Sequence, residues 1–356
     1  MRTPRTVEVA ALALALLALV ASSACAAAQG PTKLTVLTHD AFAISDEVLA
    51  KFETQYKVDV EIVKGGDAGA MVNQAILTKD APLADVLYGV DNTFLSRALE
   101  AGIFDAYVSP TASTFSPDLT FGTEGQVTPI DYGDVCINID KDAFGDGLPA
   151  PATLQALTNP EYAGKLVVEN PATSSPGLAF LMATIGHFGE GDSAYGISWQ
   201  EFWRALVAND VLVVDDWDTA YYTSFSGGAG EGDRPLVVSY ATSPAAEVVF
   251  ADPPVNQAPT SVLTDACFLQ IEYAGVLHGA KSPDGARKFI DFMVSPEFQS
   301  DIPLNMFVYP ANTAATIPEV FTENSATVTN VISIDPAQIE ANREAWIDEW
   351  TNIVLH

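Results

Sequence analysis

Hydrophobic and polar positions alternate with two different periods along the first third of the chain. Short apolar runs at residues 34–37, 58–63 and 84–90 have the length and composition of buried strands. Between them, apolar residues recur at helical spacing, first behind Ser45, a helix-capping residue type, and again behind the glycine-rich turn at 65–69. Strands that alternate with helices are typical of a mostly parallel sheet, so the pattern predicts an α/β fold.

Two long extended segments divide the chain, whose 356 residues are enough for two domains. Residues 128–140 read as extended, and so do residues 264–273. We expect the first segment to carry the chain into a second lobe and the other to return it. The predicted organisation is lobe 1 from 32–130, lobe 2 from 131–263, and a return to lobe 1 in 264–356, with C-terminal helices packed on the body.

Capping residues mark several helix starts. Asn92 is predicted to cap a helix through Leu99, and a buried helix is predicted over 178–188. Ser282-Pro283 and Asp335-Pro336 each combine a capping residue with a proline at the first helical position. The large apolar residues of the last helix fall on one face, so we expect that helix to pack against the body.

The stretch 217–244 carries the most informative side chains. Tyr240 follows the apolar run 236–238, and Trp217 follows the β-branched run 211–214. Ligand crevices of open α/β proteins lie at the carboxyl ends of strands. Two aromatic rings at two strand ends predict a clamp for a flat or cationic ligand. The alternative is that both rings are ordinary half-buried core residues.

The N-terminus predicts export. Arg2 and Arg5 precede an unbroken apolar run at 9–21, and small residues follow, so residues 1–25 have the pattern of a secretory signal peptide. Cys25 directly follows the small residues, as the acylated cysteine of bacterial lipoproteins does. In lipoproteins a leucine is usual three residues before this cysteine, whereas this chain has Ser22. The alternative is ordinary cleavage of the signal peptide at a nearby site. The sequence leaves both open.

The other two cysteines, Cys136 and Cys267, form an even pair in an exported protein, which suggests a disulfide. They would meet if the two extended segments paired as adjacent strands. The alternative is two buried free thiols.

The formal net charge of −30 disfavours nucleic acid and anionic membranes as partners. It is compatible with a cationic ligand, although a solvated acidic surface explains it equally well. The four histidines show no metal-ligand spacing, and neither a Gly-x-Ser-x-Gly motif nor a phosphate-binding loop is present. Tyr221-Tyr222 could ligate ferric iron, or one ring could pack inward while the other faces out. These observations favour a binding protein over an enzyme.

Several motifs, taken together, resemble the thiamine-binding components of bacterial ABC importers. Matching segments occur in order along nearly the whole mature chain, including Thr38-His39-Asp40-Ala41-Phe42, Gly66-Asp67-Ala68-Gly69, Asp131-Tyr132-Gly133, Thr173-Ser174-Ser175-Pro176-Gly177, Ser239-Tyr240-Ala241-Thr242-Ser243-Pro244 and Ser295-Pro296-Glu297-Phe298-Gln299. The resemblance implies a periplasmic binding protein fold of type II, in which two α/β lobes joined by two crossing strands enclose a ligand cleft. It also implies a monomer that takes thiamine or its phosphates, needs no cofactor and delivers the ligand to an ABC permease.

The resemblance also implies a set of ligand-binding residues. They are Asp67, Ala68, Ser174, Ser175, Trp217, Tyr240, Ala241, Thr242 and Ser243, with His39 and Phe307. Three positions depart from the family pattern, which often has aromatic residues at positions 39 and 246 and tryptophan at position 307. His39 would add pH sensitivity to the site. Two rival functions stay open: a ferric-iron or polyamine binding protein of the same fold, and an exported thiamine-degrading enzyme with a cysteine nucleophile.

Overall fold

The computed structural model describes residues 32–356, apart from 116–118, 120–122, 124, 192–193 and 229. The predicted signal peptide and Cys25 lie outside the described residues. Within the described part of the chain, no helix combines the length and the apolar character needed to cross a membrane.

A single mixed sheet runs through the described residues. Its strands are β1 (Thr32–Thr38), β2 (Val58–Lys64), β3 (Val86–Asp91), β4 (Phe104–Asp105), β5 (Val127–Asp140), β6 (Leu166–Glu169), β7 (Leu212–Val214), β8 (Leu236–Tyr240), β9 (Thr260–Leu277), β10 (Tyr309–Pro310) and β11 (Val331–Ile332). The main path has the order β2-β1-β3-β9-β5-β8-β6-β7. The outer groups β2-β1-β3 and β8-β6-β7 are parallel, whereas β9 and β5 run antiparallel to their neighbours between them. The predicted α/β fold is therefore confirmed.

Helices cover both parallel groups. They are α1 (Asp46–Tyr56), α2 (Ala68–Leu77), α3 (Leu95–Glu100), α4 (Ser175–Phe188), α5 (Trp199–Ala208), α6 (Ser243–Val249), α7 (Pro283–Met293), α8 (Pro296–Asn305), α9 (Glu319–Asn324) and α10 (Pro336–Val354). The Oγ of Ser45 accepts a hydrogen bond from the backbone N of Val48, as its predicted capping role requires. Helix α4 begins three residues earlier than predicted, because Ser174 caps it.

Asn92 does not cap α3, contrary to the prediction. Oδ1 of its neighbour Asp91 accepts hydrogen bonds from the backbone N of Thr93 and of Phe94 instead. The side chain of Asn92 turns to β9, donating to the carbonyl of Leu269 and accepting from the N of Ile271. The amide thus joins two strands instead of starting a helix, because a long-range partner supplies both a donor and an acceptor.

Strands β5 and β9 are the predicted crossing segments, and they pair with each other along most of their length. A disulfide joins Cys136 to Cys267 across this pair, with Cα atoms 4.6 Å apart. The predicted bridge is therefore confirmed. The lobe boundaries predicted at 130/131 and 263/264 fall inside these two strands and stay predictions.

The C-terminal helix α10 packs on the body, as its apolar face predicts. Trp350 is fully buried and contacts the ring of Trp203 on α5 edge to face, at a centroid distance of 5.5 Å. Two turns from the start of α10, the buried guanidinium of Arg343 donates to the Oγ of Ser96 on α3, at 3.0 Å. Helix α10 thereby contacts helices that belong to both parallel groups of the sheet.

Candidate functional site

A cavity of about 360 Å³ lies between the two parallel groups of strands. Its wall contains seven of the eleven residues predicted to bind ligand: His39, Asp67, Ser175, Trp217, Tyr240, Ser243 and Phe307. Residues that the prediction did not include also line it: Asp40, Ala41, Phe42, Ala43, Pro176, Asp218, Tyr221, Tyr222, Ala246, Phe250, Gln270, Glu272, Asn305, Met306 and Val308. The volume is in the range of small-molecule sites.

Trp217 is held as a rigid aromatic wall of the cavity. Its ring stacks on Tyr221, with centroids 4.9 Å apart and planes inclined by 21°, and Tyr222 contacts it edge to face at 5.5 Å. Its Nε1 donates to the Oγ of Ser239 on β8, at 3.0 Å. Because packing and a hydrogen bond both fix the indole, it can stack on a ligand without losing further side-chain entropy.

Tyr240 and Phe307 line other parts of the wall. The hydroxyl of Tyr240, at the end of β8, donates to Oε1 of Gln270 on β9, at 3.2 Å. Phe307 has a φ of 55°, an unfavourable backbone conformation for a phenylalanine, and Thr242 holds it there by donating to its carbonyl at 2.5 Å. Phe250 lies edge to face with Phe307, at 5.2 Å, and is 68% exposed.

Four predicted site residues are buried behind the wall and do not line the cavity. Ala68 begins α2, and its N–H donates to Asp67. Ser174 caps α4. Ala241 packs beside the disulfide. Together with Thr242, they support residues that do face the cavity.

The N-termini of α2 and α4 meet at one side of the cavity, where the lobes contact each other. Asp67 Oδ1 accepts from the N of Ala68 at 2.7 Å, while its Oδ2 accepts from the N of Trp217 at 3.2 Å. The hydroxyl of Ser175 donates to Oδ2 of Asp91. The N of Ala70 donates to the carbonyl of Thr173 at 3.3 Å. These hydrogen bonds join the first turns of α2 and α4 to each other and to neighbouring loops at this side of the cavity.

Asp91 makes this contact pH-dependent. Burial raises its pKa to about 6, against about 4 for an unfolded chain. As the pH rises from 4 to 6, the unfolded state releases the proton first, so the free energy of unfolding falls, by up to about 3 kcal/mol. We expect Asp91→Asn to abolish this contribution of Asp91 to the decrease in the free energy of unfolding. Urea denaturation at pH 4, 5, 6 and 7 measures that decrease.

The exposed Asp348 on α10 offers a matched control for that experiment. Asp348→Asn should leave the pH dependence of unfolding as in the wild type. A fall of the same size in wild type and Asp91→Asn would show that Asp91 is not the group responsible.

A buried cluster of a histidine, a tyrosine and two acids lies at the floor of the cavity, where His39 and Glu272 form part of the wall and Tyr88 and Asp131 lie behind it. His39 follows β1, Tyr88 lies in β3, Glu272 in β9 and Asp131 in β5, and these strands are neighbours in the sheet. Tyr88 donates to Oδ2 of Asp131 at 2.5 Å and to Oε2 of Glu272 at 3.2 Å. Nε2 of His39 lies 3.3 Å from Oε1 of Glu272.

Glu272 was absent from the predicted site, although the sequence carries a signal for it. Gln270 and Glu272 are polar residues two positions apart in an otherwise apolar part of a crossing strand, so their side chains point to the same face. Gly89 makes room for His39, because a Cβ on Gly89, which has a φ of 98°, would lie 2.3 Å from Cδ2 of that ring.

The tyrosine pair of the cavity is not arranged as a metal site. The hydroxyl of Tyr221 donates to Oε1 of Glu247 in the buried wall, and only Tyr222 is substantially exposed. Burial raises the pKa of Tyr221 well above its ordinary value, which opposes the phenolate form that ferric iron needs. No group of three or more acidic, histidine or cysteine side chains in the described residues could hold a metal.

Comparison with known proteins gives consistent results. The model of the family described as bacterial extracellular solute-binding protein matches residues 81–329. A thiamine-binding periplasmic protein of Escherichia coli is 30% identical over 325 residues, covering 90% of this chain and 93% of that protein. A thiamine-binding periplasmic protein of Brucella melitensis is 29% identical over 335 residues, covering 91% and 92%.

Solved structures show the same fold. The structure of a periplasmic thiamin binding protein superposes with a TM-score of 0.78 at 28% identity, covering 91% of this chain and 96% of that one. Iron-bound HitA of Pseudomonas aeruginosa superposes with a TM-score of 0.65 at 20% identity, covering 91% and 99%, and so shows the fold alone. The predicted type II fold is thereby confirmed. Because the family model matches more than half of this chain, the chain belongs to the bacterial extracellular solute-binding proteins.

Proposed function

We propose that this protein binds thiamine, or one of its phosphates, in the cavity between its lobes and delivers it to an ABC permease. The observation that carries the proposal is the chemistry of the cavity wall. Aromatic rings at Trp217, Tyr240 and Phe307 suit the flat aminopyrimidine and the permanently cationic thiazolium of thiamine. The names of the relatives from Escherichia coli and Brucella support the same ligand.

The charge of the wall supports a cationic ligand. Four carboxyl groups line the cavity, on Asp40, Asp67, Asp218 and Glu272, and no lysine or arginine is part of its wall within the described residues. Lys64 lies near, but its ammonium donates to the carbonyls of His39, Asp40 and Phe42. A cation therefore gains electrostatically on entering this cavity.

Two rival functions are less well supported. The bonding and burial of Tyr221 oppose iron binding, although an iron uptake protein of Synechocystis is 24% identical over 276 residues, covering 74% of this chain and 72% of that protein. The enzyme hypothesis required a free cysteine, and both cysteines of the described residues are in the disulfide.

The signal peptide pattern and the periplasmic relatives support an exported protein. We propose that it acts outside the cytoplasmic membrane as a monomer. Acylation of Cys25, which would anchor it there, remains part of this proposal.

A thermal-shift series on residues 26–356 tests the ligand. A ligand that binds only the folded state at about 100 times its Kd adds about 2.7 kcal/mol of stability, which should raise the melting temperature by a few degrees. We expect this shift with thiamine and none with ferric iron or spermidine. A shift with iron or spermidine alone would refute the thiamine assignment.

A further inference from the structure

The floor of the cavity contains a pair of oppositely charged side chains, His39 and Glu272. His39 and Glu272 both line the cavity, although only 9% and 7% of their surfaces are exposed. Their nearest nitrogen and oxygen are 3.3 Å apart, within ion-pair distance, but without the alignment of a hydrogen bond. The pair is therefore close and shielded from water.

Glu272 is the ionised member of the acidic pair on this floor. Burial and then the charge of Glu272 raise the pKa of Asp131 well above its ordinary value. Burial alone would raise the pKa of Glu272 too, but the charge of His39 and the polar contacts with His39, Asp131 and Tyr88 together outweigh burial, so that the pKa of Glu272 is lowered. The proton shared by these two acids thus resides on Asp131, and Glu272 presents a negative charge to the cavity.

We propose that the cationic part of the ligand binds at Glu272 in place of protonated His39, so that binding expels the imidazole proton and becomes tighter as the pH rises. This inference rests on the proposed function and adds to it a specificity-determining carboxylate, Glu272, and a competitor, His39. The two cations would lie side by side at one carboxylate, and their mutual repulsion disfavours the imidazolium once the cation of the ligand is bound.

The other charged groups around His39 set the direction of the effect. Burial lowers the pKa of His39, while the charge of Glu272 and, more weakly, that of Asp67 at the start of α2 raise it; Lys64 of β2 opposes them. The net direction is upward. Further titratable groups surround the pair. Tyr88 of β3 and Asp131 of β5 belong to the same buried cluster, Asp91 and Tyr240 interact electrostatically with Glu272, and Asp40 and Asp218 line the same cavity.

The protonation of His39 in the free and in the bound protein sets the sign of the pH dependence. The empty cavity favours the imidazolium, whereas a bound cation lowers the pKa of His39. Between the bound and the free pKa, binding releases a proton, so Kd falls as pH rises, by up to about tenfold per pH unit. Above the free pKa, no further change from His39 is expected.

Isothermal titration calorimetry with thiamine between pH 6 and 8 measures Kd and the number of protons released. The binding heats in two buffers of different ionisation enthalpy give the proton number. We expect the wild type to release a proton and to bind more tightly at higher pH. His39→Gln should bind at pH 6 at least as tightly as the wild type does at pH 8, with little proton release. His278→Gln, whose histidine is exposed and pairs with Asp105 at 2.7 Å, is the matched control and should follow the wild type.

The outcomes separate this inference from the function on which it rests. Tight thiamine binding by the wild type with no proton release, or an equal pH slope in His39→Gln, would overturn the role of His39 and leave thiamine binding established. Glu272→Gln should weaken binding at pH 8 by at least tenfold, and unchanged affinity would overturn the role of Glu272. Absence of thiamine binding by the wild type at every pH would overturn the proposed function and this inference together.

Discussion

Replacement of Trp217 by alanine is expected to weaken thiamine binding by about 30- to 150-fold, equivalent to 2–3 kcal/mol for a central aromatic anchor. The indole lines the cavity and is fixed beforehand by stacking on Tyr221 and by its hydrogen bond to Ser239. The variant loses both the flat surface and the cation–π partner of the ligand. Titration calorimetry at pH 8 measures the change in Kd.

Two further variants make the result specific. Trp217→Phe keeps a ring without the indole nitrogen and should lose less affinity than Trp217→Ala. Trp346→Ala removes a half-buried indole from α10, away from the cavity, and should leave Kd unchanged even if it lowers stability. An unaltered Kd in Trp217→Ala would place the ligand elsewhere.

Loss of the Cys136–Cys267 bridge is expected to lower the free energy of unfolding by about 3–5 kcal/mol. The two cysteines are 131 positions apart in sequence, so the bridge closes a long loop in the unfolded chain and removes much of its conformational entropy. Denaturation of the double variant Cys136→Ala/Cys267→Ala by guanidinium chloride, without reductant, measures the loss.

The single variants are the internal controls. Either one breaks the same bridge, so each should lose nearly as much stability as the double variant, and the two losses should not add. Thiol titration of denatured residues 26–356, which do not include Cys25, should detect no free thiol. Two free thiols, together with a loss below about 1 kcal/mol in the double variant, would contradict the bridge.

Local signals predicted much of the fold correctly. Ser45 caps α1 because its hydroxyl needs only a backbone N–H three residues away. The extended character of residues 128–140 and 264–273 predicted the crossing strands, since the strand-forming tendency of a segment depends on its own residues. The pairing of Cys136 with Cys267 followed from those strands being neighbours.

Long-range partners explain what the sequence pattern missed. Asn92 has the residue type of a helix cap, but its amide pairs with β9, nearly 180 residues away. The pairing of His39 with Glu272 depends on the order of three strands, β1, β3 and β9, which periodicity along one segment does not report. Similarly, motif resemblance selected Ala68, Ser174, Ala241 and Thr242, but it does not separate residues that face a cavity from residues that hold its wall in place.

The central claim is that the cavity between the lobes binds thiamine, and titration calorimetry of thiamine into residues 26–356 at pH 8 tests it most directly. We predict saturable binding of one thiamine per chain that is weakened by Trp217→Ala and unaffected by Trp346→Ala. The absence of binding, or binding that Trp217→Ala leaves unchanged, would contradict the claim.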